Sequence, residues 1–65
     1  MSWPPPNRYQ IGDMIIATDA AHRQLPAIII ETGRHRQHIA GWHNHHYWHA
    51  WFPNHLINHD IHTHP

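Results

Sequence analysis

Residues 47–52 read Tyr-Trp-His-Ala-Trp-Phe, YWHAWF. Side chains alternate faces along an extended strand. Tyr47, His49 and Trp51 therefore share one face, and Trp48, Ala50 and Phe52 share the other. Both faces carry large rings. One set can fill the interior of a small domain, and the other is left on the surface of a lone chain. Contiguous apolar surface of that kind marks a protein interface, and Tyr and Trp are the side chains that carry interface energy. The stretch thus predicts a strand together with a contact surface, with Tyr47, Trp48, Trp51 and Phe52 as candidate interface residues.

The flanking segments read as further short strands. HNHH (43–46) is a tight polar turn and HIAGW (38–42) a strand before it. GRHRQ (33–37) is a turn opened by Gly33, and AIIIET (27–32) is a strand rich in β-branched residues. HRQLP (22–26) is a polar loop ending in Pro26, preceded by the apolar run of RYQIGDMIIATDA (8–20) with a Gly-Asp step at its head. After YWHAWF, PNHL (53–56) breaks the pattern with a single helical turn, and INHDIH (57–62) forms a fifth short strand. No segment sustains a helical period beyond about two turns. Short strands with a turn every 8–12 residues predict an all-β fold, and closure into a small five-stranded barrel would remove the open edges of an isolated sheet. The expected organisation is an extended Pro-rich N-terminal arm over residues 1–8 and a barrel over residues 9–65.

The order YQIGDMII, a loop, PAIIIE, then HIAGW and WxxWFPNHL resembles SH3-like barrels, in particular the small SH3-like proteins of tailed bacteriophages. Gly12 and Asp13, Ile28 to Glu31, Trp42, Trp51 and Leu56 occupy the positions that carry the likeness, which spans roughly Tyr9 to Ile61. Two departures stand out: HNHH replaces the usual Asp-Gly hairpin turn, and Ala27 stands where a Gly is usual. The resemblance implies the barrel and a structural role in a virion, as a capsid-decorating, head-tail or tail protein.

Size and composition narrow the chemistry. A domain of 65 residues buries only about 60% of the surface that its unfolded chain exposes, so a staple is expected. The absence of cysteine excludes disulfides, thiolate zinc sites and cysteine nucleophiles. The staples left are a metal or assembly. The longest apolar run is far short of the roughly 20 residues that span a bilayer. The start, MSWPPPNR, lacks the basic and apolar regions of a signal peptide. The expectation is an intracellular product in the host cytoplasm or virion, without a membrane partner. In the leader, Trp3 with Pro4, Pro5 and Pro6 favours an extended polyproline arm, read as docking on a neighbouring subunit. The expected partners are other protein subunits, as a homo-oligomer or a viral assembly.

Eleven histidines, all but His22 from His35 onward, raise three further readings. The pairs His43/His45 and His62/His64 are two residues apart, which on a strand aims both rings to one side. With His46 they form a candidate zinc or nickel site, although no cofactor is the leading expectation. Arg34, Arg36 and His38 could face nucleic acid, but four arginines balance four carboxylates and leave little counterion-release drive. Clustered imidazoles could also sense pH, because near pH 5 the chain would carry about +10. Catalysis is not expected: no serine or threonine has an activating context, and the four carboxylates are dispersed.

Overall fold

The structure, a computed structural model, describes residues 9–59. Five antiparallel strands form one sheet: β1 (Met14–Thr18), β2 (Gln24–Thr32), β3 (Arg36–His43), β4 (His46–Pro53) and β5 (Ile57–His59), with a 3-10 turn at Asn54–Leu56 between the last two. Their spatial order is β4-β3-β2-β1-β5. β1 to β4 form a meander, and the chain then returns to lie beside β1. The all-β expectation and the five strands hold. The expected closure does not: β4 and β5 stand at opposite ends of the order, and no ladder joins them among the described residues. The 3-10 turn, entered at Pro53, carries the chain between the two ends of the sheet without pairing them.

Local chemistry sets each boundary. The β1–β2 turn is held by Asp19, whose carboxylate accepts from the backbone N–H groups of Ala21 and Arg23 and from the Arg23 guanidinium, at 2.8–2.9 Å. β2 starts earlier than the polar loop HRQLP suggests and runs straight through Pro26. The backbone bond from Asp19 N–H to Arg23 C=O sets the alternation of the β1–β2 ladder. It places the Pro26 nitrogen on the side away from β1, where the ladder to β3 has not begun, because that ladder starts at Ile28 opposite Ala40. Proline is tolerated where no donor is needed. A bulge at Ile30 shifts the β2–β3 register. Asn44 and His45, both at positive φ (51° and 67°), make the two-residue β3–β4 connection, as a type I′ hairpin requires.

The inner face holds Tyr9, Ile15, Ala17, Ala27, Ile29, Ile39 and Ile57, with Trp48 and Phe52 half-buried against them. Trp48 fits because its cross-strand partner is Gly41; a methyl group there would lie 2.7 Å from the Pro26 carbonyl and 3.1 Å from the indole. One polar side chain, Gln37, is fully buried. Its amide donates to Gly33 C=O (3.0 Å) and Asn54 Oδ1 (2.8 Å) and accepts from Gly33 N–H (3.2 Å). Asn54 in turn donates from its side chain to Arg34 C=O and from its backbone to His35 C=O. This network ties the β2–β3 turn to the start of the 3-10 turn. Tyr9 closes the other end, donating to Ile57 C=O at 2.9 Å.

Candidate functional site

The outer face of the sheet carries an ordered row of rings. Its register pairs Arg36 with Pro53, His38 with Trp51, Ala40 with His49 and Trp42 with Tyr47 across β3 and β4. The Arg36 guanidinium lies 4.8 Å over the Trp51 ring. On Trp51 the His38 imidazole stacks at 5.0 Å and 18°. Tyr47 meets His49 at 5.8 Å and, edge-on, Trp42 at 5.5 Å. These rings stay in water: Trp42 is 69% exposed, Tyr47 54% and Trp51 39%. The apolar surface continues over β2 and β1 through the exposed Ile28 and Met14. There Met14, Pro26, Ile28, Ala40 and Trp42 line a shallow groove of about 370 Å³.

A hydrogen-bonded trio crosses this face. His38 Nδ1 lies 3.1 Å from Glu31 Oε1, and His38 Nε2 lies 2.9 Å from His49 Nδ1. With Nδ1–H of His38 donating to the carboxylate, Nε2 is left to accept from His49. His38 then has a partner at both ring nitrogens, and His49 donates from Nδ1. One added proton on His49 is tolerated. A second, on His38, would set two N–H groups against each other at 2.9 Å, so the contact cannot survive double protonation.

Of the interface candidates, Tyr47 and Trp51 face outward, whereas Trp48 and Phe52 turn inward and belong to packing. Trp3, Pro4, Pro5 and Pro6 lie outside the described residues. So do His62 and His64. His43 and His45 do not share a strand face, because His45 sits in the hairpin turn; His43 stands opposite His46 instead. The Arg23 guanidinium comes within 3.5 Å of His43, a poor neighbour for a cation. Among the described residues no three metal-donor side chains converge. Arg34 is exposed on its turn, while Arg36 rests on Trp51 and His38 is bonded to Glu31 and His49. The sequence reading missed Glu31 as the partner of His38, and Met14 and Ile28 as surface. The alternation of Ile28, Ile29 and Ile30 was the available signal for the latter.

A second hollow, of about 290 Å³, is lined by Arg23, Leu25, His43, Asn44, His46 and Trp48. Trp48 Nε1 is buried without a hydrogen-bond partner among the described residues. No helix among the described residues is long and apolar enough to cross a membrane. Compared with family models, with curated proteins and with solved structures, the chain matches none.

Proposed function

We propose that this chain is a non-catalytic structural or binding protein that packs into a larger assembly, with the outer face of its sheet as the contact surface. The observation that carries this reading is the exposed row of Trp42, Tyr47 and Trp51, continued by Met14 and Ile28. The inner face has room for Tyr9, Trp48 and Phe52 and leaves Trp42, Tyr47 and Trp51 in water. Ring surface held in water is costly, and covering it is the main gain of association. An SH3-like order of strands, without closure of the sheet, is the fold reading that the meander, the 3-10 turn and the return of β5 to β1 support. With the resemblance to small phage proteins, it suggests a virion component as the assembly. In this picture residues 1–7 reach onto a neighbouring subunit.

Sedimentation of the full chain over a wide concentration range tests the proposal, beside the double variant Trp42→Ser, Tyr47→Ser and a chain lacking residues 1–7. Association that both variants lose while keeping the parent's far-UV circular dichroism supports it. Association that survives the double substitution removes the ring face from the contact, and association that survives the truncation removes the arm.

A further inference from the structure

The sheet has two ends, and they differ. β5 contributes three residues among the described ones. β4 contributes eight, and no described residue pairs with its far side. The phase of its ladder is fixed by the two-residue turn, which closes on His43 and His46. It is fixed again by the backbone bond from Asn54 N–H to His35 C=O at 3.0 Å. Alternation then directs the backbone groups of Trp48, Ala50 and Phe52 at β3. Those of Tyr47, His49 and Trp51 point away from it.

Protected edges use lysine, proline, an inward charge or a bulge. Residues 46–52 contain no lysine, proline, arginine or carboxylate, and their register with β3 is unbroken; the strand's last residue, Pro53, lies outside the paired stretch centred on His49. The strand is also self-complementary. Two copies laid antiparallel about His49 bring each Tyr47 opposite a Trp51 and His49 opposite its own counterpart. Every outward N–H then meets an outward C=O. The absence of fixed charge on the strand means that a twofold repeat of it meets no like-charge penalty.

We propose that β4 is a self-pairing edge: two copies of this chain join β4 to β4 around a twofold axis at His49, making one continuous sheet and one continuous outer face of rings. This rests on the reading of the ring face as a contact surface and names a second copy as the first partner.

A chain of this length can be made by peptide synthesis, so one backbone N-methyl group at His49 tests the pairing without altering any side chain. The modified nitrogen faces away from β3, so the fold should persist. Sedimentation is expected to show a dimer for the parent and a dissociation constant raised roughly thirtyfold or more for the N-methyl chain, about 2 kcal/mol at 1.4 kcal/mol per decade. Amide exchange in the parent should slow at Tyr47, His49 and Trp51 as concentration rises. Equal dimerisation of the two chains overturns the edge pairing, while the Trp42/Tyr47 variant still tests the face alone. A monomer in which those three amides are protected also overturns it, because the edge is then filled by the chain's own terminal residues.

Discussion

Replacing Gln37 with alanine should be the most damaging single truncation of a polar side chain in this fold. The side chain is fully buried, and its amide makes three hydrogen bonds, two to the Gly33 backbone and one to Asn54. Alanine strands Gly33 N–H, Gly33 C=O and Asn54 Oδ1 and leaves a cavity. At about 1 kcal/mol for each lost bond, plus a cavity term, the loss is about 3–4 kcal/mol. A domain of this size has roughly 3–10 kcal/mol in all, so the variant should lie near the edge of folding. Its melting temperature should fall by roughly 15–25 °C. Urea unfolding followed by circular dichroism measures the loss. Asn54→Ala and the double variant complete a cycle, in which a coupling of about 1 kcal/mol is expected from the Gln37–Asn54 bond. A loss under about 1 kcal/mol for Gln37→Ala, with an unchanged denaturant slope, would refute the idea that this network holds the β2–β3 turn, and with it Arg36 over Trp51, in place.

Three further outcomes follow from the geometry. Gly41→Ala sets a methyl group against the Pro26 carbonyl and the Trp48 indole and should cost about 1–3 kcal/mol, with a changed near-UV signal from Trp48; a neutral effect would mean that β3 and β4 are spaced differently. Glu31→Ala removes the acceptor 3.1 Å from His38 Nδ1 and, at this exposed position, should cost under about 1 kcal/mol in urea unfolding; a loss above about 2 kcal/mol would contradict this. Asp19 is held below the ordinary aspartate range, first by the backbone N–H of Arg23 and also by its guanidinium. Its stabilising effect is therefore complete above that range and disappears as pH falls through the lowered value. Asp19→Asn should lower the melting temperature slightly at pH 7 and not at all in strong acid.

The period of two in YWHAWF was enough to place a strand, but not to say which face goes in. Both faces carry rings, and the choice is made across the sheet: Gly41 opposite Trp48 leaves room for an indole, whereas Trp42 opposite Tyr47 does not. The polar hairpin was legible from Asn44, but the positive φ of His45 was not. That one residue undid the reading of His43 and His45 as a same-face pair. Pro26 read as a breaker because the sequence does not tell which side of a strand lacks a neighbour. The Glu31–His38–His49 trio joins three strands, and no local pattern announces it. Barrel closure was inferred from the need to remove edges, and the long edge of β4, which no described residue pairs, is where that inference met the structure.

Hydroxyl-radical labelling of the indole and phenol side chains, read by mass spectrometry as the chain is concentrated, asks most directly whether the outer rings exist to be covered. Labelling of Tyr47 and Trp51 should fall with concentration while the half-buried Trp48 stays weakly labelled throughout. Constant, strong labelling of Tyr47 and Trp51 up to the highest concentrations would mean that the chain leaves these rings in water by itself, and would contradict a contact surface shared between copies.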